Sequence, residues 1–315
     1  MPMRNSVVFL PLILAASLAC AQATPVPPSS GRNGKLALTG GVTTIEGAAG
    51  GGLTPWAVTG SYATDGGIGV TAAATRVSTQ DYALNAVALA ASFGDRLELS
   101  LAHQDFDTGP VAGALAAALS DPAFNGLRLK QDIVGVKLRF IGDAVLDSDT
   151  LMPQIAIGLQ YKRAHSGHLA AALGAFGAKD SGTDIYISAT KLLLAQGILV
   201  NGTLRATKAN QTGLLGFGAA GHDSYRLMPE ISLAYLLSKS VAIGAEYRAK
   251  PDNLRDNVAL GAGTLKEDGW MDIFLAWAPS KHASFTLAYV DLGKIVPGVV
   301  TRKQTGAYLS AQFAY

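Results

Sequence analysis

Residues 281–315, KHASFTLAYVDLGKIVPGVVTRKQTGAYLSAQFAY, hold the pattern that decides the fold. Ala283, Phe285, Leu287 and Tyr289 alternate with His282, Ser284, Thr286 and Ala288. After a polar, glycine-containing link, Ala307, Leu309, Ala311, Phe313 and Tyr315 again share one face. A period of two with one apolar face marks a strand that meets two different surroundings. The apolar face here ends on aromatics, as in the last strand of a membrane barrel. Phe313 and Tyr315 are therefore read as the assembly signal that barrel assembly machinery recognises.

The same pattern runs backward through the chain. Val241, Ile243, Ala245 and Tyr247 alternate with small or polar neighbours, and so do Ile155, Ile157, Leu159 and Tyr161. Strands are predicted near 35–45, 54–64, 67–77, 80–93, 95–107, 127–142, 152–163, 182–194, 196–209, 225–238, 240–250, 269–278, 281–291 and 304–315. The links between them alternate short and long. Gly94, Ser238–Ser240 and Pro279–Lys281 mark tight turns, whereas 109–126, 164–181, 210–224, 251–268 and 292–303 are long and polar. Membrane barrels have this asymmetry, with short periplasmic turns and longer extracellular loops. The fold class is thus all-β, an antiparallel transmembrane β-barrel of about 14 strands. A 12-strand barrel with residues 35–64 as an N-terminal plug is the alternative, since both counts are even.

Composition agrees. Charged residues are 15% of the chain, against about 25% in ordinary soluble domains. Hydrophobic residues are 49%, yet no segment after the N-terminus supplies the roughly 20 apolar residues of a spanning helix. A net charge of +2 points to no nucleic-acid partner. Arg4, the apolar run Val7–Leu18 and the small-x-small sites ending at Ala21 and Ala23 read as a cleaved signal peptide over 1–23. Residues 24–34 are a Pro/Ser/Gly-rich leader, and 35–315 form the barrel. Cys20, the single cysteine, leaves with the signal peptide unless it is retained and acylated. The expected location is the bacterial outer membrane, with its lipid as the surrounding partner; the sequence fixes no oligomeric state.

Charges on the polar faces are assigned to the lumen, because a cation facing lipid costs roughly 2–4 kcal/mol at the midplane. These are Arg96, Glu98, Lys137, Arg139, Lys162, Asp184, Arg205, Glu230, Glu246, Arg248 and Asp272. Glu98 is expected to meet Lys137 and Arg139, and Arg205 to meet Glu230. Tyr161, Tyr235, Tyr247, Trp277, Tyr289 and Tyr315 lie on apolar faces near strand ends, where aromatic girdles sit. The run Val111–Leu119 suits a short helix at the barrel mouth or the membrane surface.

Motifs for chemistry are weak. Gly47–Gly52 lacks the Lys-Ser/Thr ending of a phosphate loop, so its glycines are read as turns or close backbone approaches. His165 and His168 share a glycine-containing loop without an evident third metal ligand. His282 and Ser284 share a strand face, but positions i and i+2 are about 6.5–7 Å apart, too far for a general base to reach a serine. No enzyme, metal or cofactor is expected. The function reading is a porin-like or substrate-specific channel of unknown substrate. Its rival is a closed structural or assembly barrel of the envelope, and an outer-membrane enzyme is a more distant third.

Six stretches point to a known family: GKLALTGGVTTIEGAAGGGLTPW (34–56), QDIVGVKLR (131–139), PQIAIGLQYKR (153–163), VNGTLRATKANQTGLLGFG (200–218), GAEYRAKPDNL (244–254) and LAYVDLG (287–293). They resemble a proteobacterial outer-membrane β-barrel family catalogued as domain of unknown function 3034. The resemblance spans essentially the whole mature chain. It implies an envelope barrel and carries over no catalytic residues.

Overall fold

A computed structural model describes residues 35, 37–64, 66–145, 151–256 and 261–315. The signal peptide, leader and Cys20 lie outside the described residues. Twelve antiparallel strands close into one barrel, each paired with its neighbours in the chain and the last with the first. They are β3 (Ile68–Thr79), β4 (Ala83–Phe93), β5 (Leu97–Asp107), β6 (Arg128–Ile141), β7 (Gln154–His165), β8 (Ser181–Leu193), β9 (Ile198–Thr207), β10 (Arg226–Leu236), β11 (Val241–Arg248), β12 (Trp270–Ser280), β13 (Ala283–Asp291) and β14 (Thr305–Ala314). Closure runs through β14 and β3, where Tyr308 pairs with Val77 and Phe313 with Ala72. The Tyr315 N–H donates to the Val70 carbonyl at 2.8 Å and the Val70 N–H to that of Tyr315 at 2.7 Å. A closed ring leaves no unpaired edge for lipid to meet.

Of the two even counts, the chain takes twelve. Residues 35–45 and 54–64 do not join the wall. They belong to a segment inside the barrel whose own regular pairing is the two-residue ladder of β1 (Val42–Thr43) with β2 (Ala49–Gly50). The physical reason is visible in the residues. A wall strand needs an outward apolar row, and this segment offers glycines on both faces. Pro55 also cannot donate to a ladder. The other twelve strands lie where the period-two pattern put them.

Along each wall strand, burial alternates with exposure, perfectly so for β3 from Ile68 to Ser78. The outward row is apolar: Leu89, Leu101, Ile157, Leu233, Ile273, Leu287 and Leu309 are all exposed. Tyr235, Trp277 and Tyr315 stand outward at the tight-turn end. Tyr161, Tyr247 and Tyr289 stand outward toward the other end, so the six aromatics form two girdles around an apolar band. The long links 109–126, 164–181, 210–224, 251–268 and 292–303 all leave from the end opposite Tyr315. The helix Pro110–Leu119 packs its first turn, Val111 and Ala112, into that mouth.

Facing at the last strand is sharply resolved: Phe313 is 61% exposed and Gln312 8%. Replacing Phe313 by Lys should cut membrane-inserted yield severely, because the charge meets lipid. Replacing it by Leu should leave the yield near wild type. Heat-modifiable gel migration of outer-membrane fractions reads both, and equal yields would contradict a lipid-facing Phe313.

Candidate functional site: the lumen and its plug

Residues 37–64 occupy the lumen, and from Val42 to Ser61 every residue is buried. Their glycines make this possible. Gly47 (φ 92°) turns the chain against Ala102 of the wall, where a Cβ would come within 3.2 Å of the Ala102 methyl. A Cβ on Gly51 would sit 2.3 Å from a Glu246 carboxylate oxygen. The Gly47–Gly52 run therefore serves close backbone approach.

A buried backbone without a ladder needs other partners, and wall side chains supply them. Glu98 accepts the N–H groups of Ala49 (3.0 Å) and Gly60 (2.6 Å). Lys137 donates to the Ala49 carbonyl and pairs with Glu98, both at 3.0 Å. Glu246 accepts from the Leu53 N–H at 2.8 Å and from the Thr54 hydroxyl at 2.5 Å. Ser188 and Thr203 donate to the Pro55 carbonyl, and Gln154 to that of Ala57. Gln312 accepts both the N–H and the hydroxyl of Thr43.

One plug side chain answers in kind. Glu46 lies between Lys162 (2.6 Å), Arg248 (2.8 Å) and Arg205 (3.4 Å). Lys162 also meets Asp184 at 2.7 Å, and Arg205 meets Glu230 at 2.5 Å while stacking on Tyr186. Tyr186 reaches over Gly158, where a Cβ would be 2.0 Å from its ring. Arg248 also donates to the Leu53 carbonyl at 3.1 Å. Asp272, paired in register with Glu246, is buried with one carboxylate oxygen unpartnered.

Nine of the eleven charges assigned to the lumen by sequence are thus buried inward: Glu98, Lys137, Lys162, Asp184, Arg205, Glu230, Glu246, Arg248 and Asp272. Arg96 and Arg139 are not. Gly94 and Asp95 take positive φ, and the Arg96 N–H closes a turn on the Phe93 carbonyl, so the strand alternation has ended and Arg96 is exposed. Arg139 bonds Asp95, Asp143 and the Gly142 carbonyl at the rim instead of Glu98.

Several placements escaped the sequence reading. Gln104, Gln154, Gln160, Ser188 and Thr203 bind plug carbonyls, but uncharged residues on a polar strand face give no signal of a partner thirty or more residues away. A polar cluster also stands on the outer wall. Asp132 receives His103 (2.7 Å) and His165 (2.8 Å), and Arg128 pairs with Asp105 (2.8 Å) and Asp107 (3.1 Å). These side chains lie toward the loop end of β5–β7, where charge costs least. His168 packs on Phe124, and His282 bonds the Ala314 carbonyl at 3.0 Å. Among the described residues no group of three or more His, Cys, Asp or Glu side chains has an arrangement that could hold a metal ion.

The mouth is closed over by its loops. Residues 210–214 turn inward and are buried, with Gln211 and Thr212 at positive φ. The Thr212 carbonyl accepts from Lys162 at 3.2 Å. Gln211 accepts from Lys250 at 2.6 Å and donates its N–H to Glu267 at 2.8 Å.

The family described as protein of unknown function, DUF3034, matches residues 39–312. The chain belongs to that family. A search of curated proteins finds no match. Among solved structures it is similar to the KdgM porin, with a TM-score of 0.46 and 10% identity over 78% of this chain and 99% of the porin. It is also similar to an outer membrane channel from Pseudomonas putida F1, with a TM-score of 0.47 and 9% identity over 81% and 96% of the two chains. A third likeness is to outer membrane phospholipase A from Escherichia coli, with a TM-score of 0.39 and 10% identity over 80% and 94%.

Two expectations follow from the site. Glu46→Gln leaves three buried cations short of an anion, and breaking a buried pair costs about 3–5 kcal/mol. The variant should lose its heat-modifiable folded band at clearly lower temperature than wild type, and an unchanged transition would contradict the network. The second concerns the loops. Burial pushes the Glu267 carboxyl up to about 7, against the opposing pull of Lys250, and pushes the Lys250 ammonium down to about 8 despite Glu267. Arg248, Asp252 and Asp268 add to the local field. The folded state therefore holds the extra proton of Glu267 between its ordinary value and about 7, so stability falls as pH rises through that window. For Lys250 the unfolded state holds more protons above about 8, so stability recovers there. Melting followed from pH 4.5 to 7 should show this decline in wild type and a flatter profile in Glu267→Gln; identical slopes would contradict it.

Proposed function

We propose that this protein is a plugged, substrate-specific channel of the Gram-negative outer membrane. One observation carries the reading: the lumen's four cations, Lys137, Lys162, Arg205 and Arg248, and the carboxylates of Glu98 and Glu246 are spent on the backbone and Glu46 of an inserted segment. A 12-strand wall lies between the ~8 strands that side chains can fill and the 16–18 that leave an aqueous channel. Such a lumen is too wide for simple side-chain packing and needs an occupant. The occupant is held by hydrogen bonds and ion pairs, contacts that water can replace as the segment shifts, alongside apolar packing of Ile45, Leu53, Trp56 and Val58 on the wall. The network is also fully internal, which suits a gate at rest. The membrane assignment rests on the outward apolar band and its two aromatic girdles.

Planar-bilayer recording tests this. Purified wild-type protein should give small, infrequent steps. Glu46→Gln and Glu98→Gln, confirmed as folded by heat-modifiable migration, should give larger and more frequent ones. If the folded variants are as silent as wild type, the barrel is a closed structural element of the envelope.

A further inference from the structure

The closing seam of the barrel carries a groove on its lipid face. Ala74 of β3 is paired with Ala311 of β14, and both methyl groups belong to the outward row. Their neighbours in the same cross-strand row are larger: Val87 on one side, Phe285 and then Trp277 on the other. The two alanines leave a gap between them, and its floor is low enough to reach Thr75 and Ser310 of the inward row. Those two hydroxyls are bonded to each other at 2.8 Å. The groove measures about 610 Å³, within the roughly 300–1,000 Å³ of sites that hold a small molecule.

One outward position nearer the loops, Arg76 lines the same groove and is exposed. It is the second outward residue from the loop end of β3, after Ser78. A cation on the lipid face is costly at the midplane and tolerated near the interface, where its stem lies along hydrocarbon and its head reaches the polar level. Among the described residues the Arg76 guanidinium donates to the Asn85 side-chain oxygen at 2.9 Å. That oxygen is neutral, and no carboxylate lines the groove. Arg302 at the loops is by contrast matched by Asp81. The groove thus joins a hydrocarbon trough to a guanidinium without an anion, and the planar fork of a guanidinium suits phosphate.

We infer that this groove seats one anionic phosphorylated lipid of the leaflet at the loop end. Its phosphate sits on Arg76, and an acyl chain lies over Ala74 and Ala311 toward Trp277. Three strand spacings, about 14 Å, separate β3 from β12, so the middle of such a chain comes beside Trp277. A second copy of the protein fits less well. A two-fold contact brings the same patch of both copies together, and it sets Arg76 against hydrocarbon or another Arg76. The bound lipid covers the seam where the first and last wall strands meet. The inference rests on the membrane assignment made above and is independent of conductance.

Trp277 is the reporter, because Trp56 and Trp270 are enclosed. Flotation of the protein with phosphatidylcholine vesicles first establishes insertion; protein that does not float defeats the membrane assignment and this inference with it. Lipids brominated at mid-chain then quench adjacent indoles. Brominated phosphatidic acid should quench Trp277 with about fivefold higher apparent affinity than brominated phosphatidylcholine, the contribution of one cation at an anionic surface. Arg76→Gln should bring the two lipids to parity, whereas Arg76→Lys should keep most of the preference. Ala311→Leu fills the trough, keeps the outward row apolar and should remove the preference with Arg76 still present. Equal affinities in wild type overturn the site. A preference that survives Arg76→Gln belongs to other cations and overturns the role of Arg76, and one that survives Ala311→Leu overturns the groove. Absence of quenching by both lipids in floated protein means that a second copy covers Trp277, and overturns lipid as the occupant. Silent planar bilayers alongside a lipid preference would defeat the channel reading alone, and conducting variants without the preference would defeat this site alone.

Discussion

The backbone of Val42–Ser61 is enclosed, and enclosed peptide groups must be paired. That demand organises the interior of this protein. A regular strand would meet it through a ladder, but this segment forms the short β1–β2 pairing and a few turns and bridges of its own, such as Ile45 N–H to the Gly52 carbonyl and Trp56 N–H to that of Ala49. Other amides and carbonyls turn to Glu98, Lys137, Gln154, Ser188, Thr203, Glu246 and Arg248 on the wall. The wall side chains have few alternatives in return. A buried carboxylate or ammonium without a partner is far costlier than a buried amide, and every inward charge except Asp272 is tied to the plug, to another charge, or to both.

Small residues allow the plug to come close enough for this. Inward positions on β3 and β4 are largely alanine and threonine, including Ala73, Thr75, Ala86, Ala88 and Ala90. The larger polar side chains come mainly from β5–β11, with Asp272 of β12 and Gln312 of β14 besides. The plug consequently meets a low, nearly featureless wall on one side and a dense hydrogen-bonding wall on the other. Glu46 is placed on the dense side, among Lys162, Arg205 and Arg248. Glu46 and its cations and the apolar cluster around Trp270 therefore lie side by side near the loop end, with Arg248 in register with Trp270.

Loop residues close over both. Residues 210–218 belong to one of the stretches that carries the family resemblance, and they fold down into the mouth rather than out to solvent. Gln211 links Lys250, Glu267 and the Ile295 carbonyl, joining three loops. Asp223 is held by Lys179 and Lys208, and these ammonium groups keep its carboxyl down near about 2.

The sequence by itself determined the barrel. Period-two alternation specifies which side chains face lipid, because a single-residue slip would reverse every one of them. Alternating link lengths specify which end carries the loops. Those signals are local, and they located all twelve wall strands and the inward facing of Glu98, Lys137 and Arg205. Whether residues 35–64 added two strands or filled the lumen was left open, since glycine-rich sequence with Pro55 carries no strand period. Tertiary structure decided it, through partners as distant as Gln312 for Thr43 and Glu246 for Leu53. The apolar cluster that joins plug, wall and loops was equally invisible beforehand. Ile45, Tyr82, Trp270 and Val296 lie far apart in the chain, and only closure of β14 onto β3 brings such residues around one space.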